Sequence, residues 1–233
     1  MAVTKVATGT QATIDHALQH AVTVVVEDGG GSGVIVNRFV NGAPVSCVLT
    51  AAHVVTPRPD GTFGPVKVIA HQRRSGRVVG KLEADCEVVN RDPRYDTALL
   101  KVKADYFLAL PGVEFYLGEE VPGPGREIVH VGSYLGLPGA DSAAVGRVAQ
   151  VGRDNKSPGK EGVRDQTDIT ILPGSSGGGV YLADTGEYMG MLVAGIRPTS
   201  VGFIVPIREL REWAIKNNLV WILNPRALPA ESL

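Results

Sequence analysis

Short apolar runs alternate along the chain with breaks rich in glycine, proline and asparagine, the pattern of a protein made mostly of short strands and turns. Only the two ends carry helical spacing. Ile14, Ala17, Leu18 and Ala21 fall at i, i+3, i+4 and i+7 and predict a short amphipathic helix over 10–21, with His16 and His20 one turn apart on a solvated face. Pro206 at a first turn, Ile207, Leu210, Trp213 and Ala214 on one face, and Asn217-Asn218 at the close predict a second helix over 206–218. Between them, strands are predicted at 22–26, 34–36, 45–49, 66–70, 77–82, 86–89 and 98–102, then at 128–131, 145–151, 167–172, 180–182, 188–196 and 202–205. The stretch 111–125, with three prolines, reads as a linker between two halves built in the same style. Residues 154–164 read as a polar loop and 225–233 as a loosely held tail.

Composition narrows the function classes. A hydrophobic share of 44% in 233 residues supports one or two domains with a sizeable core. A net charge of −1 gives no field for nucleic acid or an anionic membrane. The basic cluster Arg73, Arg74, Arg77 and Lys81 is short and reads as a solvated loop. No apolar run approaches the roughly 18 residues of a membrane span, and residues 1–19 hold no signal-peptide core, so a cytoplasmic location is the default expectation. Cys47 and Cys86 are too few for a disulfide framework or a zinc site and are expected to be reduced and buried.

Three stretches carry candidate chemistry. Pro173-Gly174-Ser175-Ser176-Gly177-Gly178-Gly179 is a turn with more glycine than any ordinary hairpin needs, so that a serine hydroxyl can sit beside bare backbone N–H groups. Thr50-Ala51-Ala52-His53 ends an apolar run with a histidine among small residues, either a satisfied core histidine or a base with room for a partner. Asp96 directly precedes the strand 98–102, where it either closes a turn or serves as an orienting carboxylate. Together His53, Asp96 and Ser176 supply base, carboxylate and nucleophile in the chain order His, Asp, Ser.

With their flanks, Thr-Ala-Ala-His, Asp-Thr-Ala-Leu-Leu-Lys and Gly-Ser-Ser-Gly-Gly, these stretches make the chain resemble trypsin-like serine proteases, and within them the HtrA/Deg group. Gly31-Ser32-Gly33-Val34-Ile35-Val36, Val131 to Leu137, Gln166-Thr167-Asp168 and Gly202-Phe203-Ile204-Val205-Pro206 extend the resemblance over about residues 22–216. It implies an all-β fold of two packed six-stranded antiparallel barrels, at 22–110 and 126–205. A 1–21 arm with its short helix, the 111–125 linker and a 206–233 helix and tail complete it. It also implies a serine endopeptidase acting on polypeptides through an acyl-enzyme, with no metal or organic cofactor. The backbone N–H groups of Gly174 and Ser176 would form the oxyanion hole. Thr170, six residues before the nucleophile, with Met191, Leu192, Val193 and Phe203, would form a pocket for small or medium aliphatic residues at P1, the position before the scissile bond.

The departures from the family pattern matter too. Ser175 stands where secreted trypsins carry the aspartate that pairs with a clipped N-terminus, Val54 replaces their cysteine, and Gly179 replaces the usual proline. HtrA-type chains usually continue into a PDZ domain, whereas 15 residues follow Asn218 here, which implies none. The family's trimers form through the N-terminal segment; packing of helix 10–21 on its own barrel is the alternative. Two other functions stay open: a latent or inactive protease-fold binding module, and a viral or phage polyprotein-processing protease.

Overall fold

The valine-rich segment Ala21–Val26 (β1) pairs antiparallel with Gly29–Val40 (β2) on one side and Val66–Arg74 (β4) on the other, and this double pairing closes a barrel. The computed structural model describes residues 9–40, 42–154, 161–196 and 199–227. Ala43–Thr50 (β3), Arg77–Asp92 (β5) and Thr97–Val102 (β6) complete that first barrel in the order β1-β2-β3-β6-β5-β4. A second is built from Glu127–Tyr134 (β7), Gly139–Asp154 (β8), Val163–Thr167 (β9), Gly179–Leu182 (β10), Tyr188–Ile196 (β11) and Val201–Pro206 (β12), in the order β7-β8-β9-β12-β11-β10. The two closed, six-stranded antiparallel barrels repeat one strand order, and closure removes the sheet edges that would otherwise invite pairing with other chains.

One hydrophobic cluster runs from the first barrel across the seam to Val129, Val131, Tyr181 and Met191, and a smaller one of Ile128, Val148, Ile169, Ile171, Leu192 and others fills the second barrel. The linker stretch is bonded to both halves, Val113 N–H to Ile35 O at 2.9 Å and Tyr188 N–H to Glu114 O at 2.8 Å. Helix α2 (Ile207–Lys216) buries the expected face, Ile207, Leu210, Trp213 and Ala214, and the Trp213 indole donates to Asn90 Oδ1 of β5 at 3.1 Å.

Several expected elements are corrected. The runs at 77–82 and 86–89 are one strand of 16 residues with a bulge between Val88 and Asn90, because a strand this long bends around the barrel without breaking. The run at 167–172 pairs only up to Thr167; beyond it Ile169 and Ile171 point inward and Thr170 outward, an alternation that mimics a strand without its ladder. Helix α1 (Thr10–Ala17) stops short of the expected end, since Ala21 already belongs to β1, and its Thr13 hydroxyl donates to Ala183 O at 2.9 Å, fixing the helix on its own chain. A 3₁₀ turn at Asp105–Ala109 and a short helix, Val220–Leu223 (α3), were not expected; α3 buries Trp221, Ile222 and Leu223. Most of the 154–164 loop lies outside the described residues.

His20 is not solvated. It is wholly buried, its ring 4.7 Å from that of His16 and 5.6 Å from that of Tyr181, and neither ring nitrogen has a hydrogen-bond partner among the described residues. His130 in β7 is equally buried, with Nδ1 3.0 Å from Gly179 O. Burial holds both imidazoles neutral, pushing His20 down from 6.5 to about 3 and His130 to about 4. Of the two cysteines, Cys47 is buried and both are unpaired thiols, Cys47 pushed up by burial to about 12.

Two predictions follow from this packing. Trp213→Ala removes the largest fully buried side chain and one hydrogen bond, at a cost of roughly 3–5 kcal/mol; thermal melts should show Tm lower by roughly 10 °C. The unfolded chain takes up protons on its histidines below about pH 6.5, whereas the folded chain keeps His20 and His130 neutral to about 3 and 4. Stability is therefore full above pH 6.5 and falls on acidification, by about 1.4 kcal/mol per pH unit for each histidine. Denaturant midpoints at pH 7 and pH 5 should differ less in His20→Phe than in the wild type, and an unchanged difference would refute the assignment.

Candidate active site

The turn 173–179 enters β10 with two residues in the left-handed region, Gly174 (φ +88°) and Gly177 (φ +91°). Only glycine fits either place. A Cβ on Gly174 would lie 2.3 Å from Ser133 O, and one on Gly177 would lie 2.1 Å from Ser32 O. The turn is pressed against both barrels. Ser32 N–H of β2 donates to Ser176 O at 2.8 Å, and the Ser32 hydroxyl donates to Gly174 O at 2.7 Å while accepting from Ser133 N–H at 2.7 Å. Leu135 N–H holds Pro173 O at 2.6 Å, and Gly177 N–H holds Leu192 O at 2.8 Å. Ser175 is fully buried, its hydroxyl donating to Leu172 O at 2.6 Å, so Ser176 alone of the two serines reaches the surface.

His53 lies in the turn after β3 and its side chain is 45% exposed, which removes the reading of a satisfied core histidine. Asp96 sits between β5 and β6 in the left-handed region (φ +57°), with its side chain 12% exposed. Its carboxylate is 2.9 and 3.0 Å from His53 Nδ1 and accepts from His53 N–H at 3.1 Å. An acceptor at that distance fixes the proton on Nδ1 and leaves Nε2 with its lone pair. Arg91 Nε donates to Ala52 O at 2.9 Å and steadies the backbone beside His53.

His53, Ser176 and Gly174 share one wall of a cavity of about 570 Å³, whose other walls are the β1–β2 turn, Val54–Pro59 and Phe63–Val66. The N–H groups of Gly174 and Ser176 have no intramolecular acceptor among the described residues. The Ser176 hydroxyl donates to Val193 O at 3.3 Å and makes no hydrogen bond to His53. His53, held by Asp96, thus lines one open space together with Ser176 and Gly174.

The other expected pocket residues are more scattered. Thr170 is exposed and within 3.1 Å of the Ser200 hydroxyl; Phe203 is half-buried under the Arg153 guanidinium at 5.5 Å. Met191 and Leu192 are wholly enclosed in the cores, which leaves Val193, through its carbonyl, as the part of this edge that faces Ser176. One residue was missed by the sequence reading: Ile171, whose side chain would lie 2.9 Å from a Cβ on Gly195 and 3.1 Å from one on Gly202. The adjacent glycines were the available signal, since each marks a close approach. Among the described residues there is no group of three or more metal-ligating side chains, and no helix is long and apolar enough to cross a membrane.

Comparison with known proteins agrees with this geometry. A family model described as a trypsin-like peptidase domain matches residues 31–191. A putative serine protease, HhoB, of Synechocystis sp. is 33% identical over 193 residues, covering 81% of this chain and 40% of the relative. A probable periplasmic serine endoprotease, DegP-like, of Marinomonas sp. is 33% identical over 69% of this chain and 29% of the relative. The chain thus spans less than half the length of these curated relatives. Among solved structures, the serine endoprotease from Yersinia pestis superposes with a TM-score of 0.68 at 22% identity, over 91% of this chain and 67% of that one. The HtrA-type protease AlgW with a tripeptide gives 0.68 at 20% identity, over 89% and 62%. The chain belongs to the trypsin-like peptidase domain family, with HtrA and DegP proteins as relatives over most of its length.

Proposed function

We propose that this chain is a serine endopeptidase in which Ser176 is the nucleophile, His53 the base and Asp96 the orienting carboxylate. The carrying observation is the His53–Asp96 pair at 2.9 Å in a cavity shared with Ser176 and two unengaged N–H donors. Ser176 Oγ attacks the scissile carbonyl carbon while His53 Nε2 takes its proton, which is later delivered to the leaving amine. Asp96 holds the tautomer and stabilises the imidazolium. Before attack the Ser176 hydroxyl must turn from Val193 O towards His53, a rotation about one side-chain bond. The N–H groups of Gly174 and Ser176 receive the developing oxyanion, each contributing about 3 kcal/mol to transition-state stabilisation. Water then cleaves the acyl-enzyme by the same base.

Ile171 supports the preference for small or medium aliphatic P1 residues. Its side chain packs across Gly202 and across Gly195 of the strand that carries Val193, and on this reading it forms the apolar wall that keeps the P1 space shallow. The cavity runs from Ser176 and His53 along Val54–Pro59, Phe63–Val66 and the β1–β2 turn, and on this reading it takes the leaving half of the substrate. Polypeptide substrates are the class this arrangement takes.

Intact-mass measurement after treatment with a fluorophosphonate tests the mechanism: one adduct is expected on the wild type and none on Ser176→Ala. A folded wild type that takes no adduct favours the latent or binding-module reading. Ile171→Ala opens the P1 space and is expected to shift cleavage of a peptide library by roughly 10-fold towards larger side chains, the selectivity a few methylenes command. Wild-type preference for Lys or Arg at P1 would refute the pocket.

A further inference from the structure

Arg164 ends the stretch that reads as a polar loop in the sequence, yet it is only 6% exposed. Removing a guanidinium from water is costly unless its N–H groups are met and its charge is balanced. Arg164 belongs to β9 of the second barrel and reaches into the first. Its Nη1 donates to Val163 O at 3.0 Å, and its Nη2 crosses the seam to donate to Tyr95 O at 3.1 Å. That carbonyl belongs to the peptide leading into Asp96, which holds the left-handed conformation that aspartate adopts only with local support. The Thr97 hydroxyl is a second, longer donor to Tyr95 O at 3.4 Å.

The rest of the turn is gripped elsewhere. Glu161 N–H holds Arg94 O at 2.9 Å, and Lys216 Nζ of α2 lies 2.5 Å from the Tyr95 hydroxyl and 3.1 Å from Glu161 Oε2. Charged groups at and beside this turn include His53 and Arg91 from the first barrel, Arg164 from β9, Glu209 and Lys216 from α2, and Arg94, which pairs with the buried Asp92 and the exposed Glu161. Asp165, adjacent to Arg164, is already paired with both terminal nitrogens of Arg208 and does not neutralise it. Burial lowers the proton affinity of Arg164, and the first charge that opposes this is Asp96, ahead of Glu209.

We infer that Arg164 is a positioning residue for Asp96: it reaches across the barrel seam to fix the peptide that aims the carboxylate at His53 and places a positive charge behind that pair. The inference rests on the assignment of His53, Asp96 and Ser176 above. Two consequences separate it from a merely structural role. Loss of the hydrogen bond misaims Asp96 and slows the reaction of Ser176 without weakening ligand binding. Loss of the charge removes a repulsion on the imidazolium, so His53 holds its proton to higher pH and the acid limb of the activity profile moves up.

The test compares the wild type, Arg164→Met and Arg164→Lys by fluorophosphonate labelling, reading the saturating rate, the half-saturating concentration and the pH dependence. Folding is checked by melting. His53 is also titrated directly by NMR, assigned with His53→Gln. Arg164→Met is expected to lower the saturating rate roughly 10–100-fold, the scale of a small misplacement in a catalytic constellation, with half-saturation within about twofold and the acid limb at higher pH. Arg164→Lys should return the limb to its wild-type position and only part of the rate, because an ammonium keeps the charge but not the planar fork.

A folded Arg164→Met with wild-type rate and limb overturns the proposal, as does a lowered Tm with both unchanged. If Arg164→Met does not fold, Arg164→Lys decides: a reduced rate with a wild-type limb supports it and a wild-type rate overturns it. If the wild type takes no label at all, the serine-protease reading fails on its own. The NMR titration then judges Arg164 independently, a raised His53 midpoint in Arg164→Met supporting it and an unmoved one overturning it.

Discussion

Everything in the site depends on one hydrogen bond between the barrels, from the backbone N–H of Ser32 to the carbonyl of Ser176 at 2.8 Å. It joins β2 of one barrel to the glycine turn 173–179 of the other, and the Ser32 side chain strengthens the join by bridging Gly174 O and Ser133 N–H. Thr50 Oγ1 in turn donates to Ser32 O at 2.7 Å. These groups are buried, so each unmade bond would cost the desolvation of its partner. The network therefore fixes the arrangement of the turn, in which the N–H groups of Gly174 and Ser176 have no acceptor among the described residues.

The same seam distributes the proposed reacting groups. His53 and Asp96 come from the first barrel and Ser176 from the second, so the proposed chemistry needs both halves. Closed barrels suit this division, because their strands are held by pairing on both sides and their turns can be shaped without loosening the frame. Left-handed backbone conformations occur in those turns. Asp96, Gly174 and Gly177 all sit at positive φ, and each is held by contacts from the opposite barrel or from the adjoining strands.

The buried polar groups are treated differently in different places. At the seam each hydroxyl has a partner, whereas His20, Tyr181 and Tyr188 bury nitrogen or hydroxyl atoms with none among the described residues. Those three rings and His16 form a chain of ring contacts, largely edge-to-face, running from α1 towards β11 with centroid separations of 4.7 to 5.7 Å. Ring packing thus secures α1 to the second barrel, at the expense of resistance to acid.

Local pattern alone determined a good part of this molecule. The short apolar runs marked nearly every strand, the i, i+3, i+4 spacing marked α2 with its buried face, and the glycine turn, the Ala-Ala-His segment and Asp96 marked the candidate site with its family. Such features are written in residues close together, where sterics and periodicity act directly. Tertiary structure decided what depends on distant partners. It made one bent strand of 77–92, left 168–172 unpaired, enclosed Met191 and Leu192, buried His20 and drew Arg164 out of solvent onto Tyr95. In each case the outcome is set by barrel closure and by contacts across the seam, between residues as far apart as Tyr95 and Arg164, whose meeting leaves no trace in either local sequence.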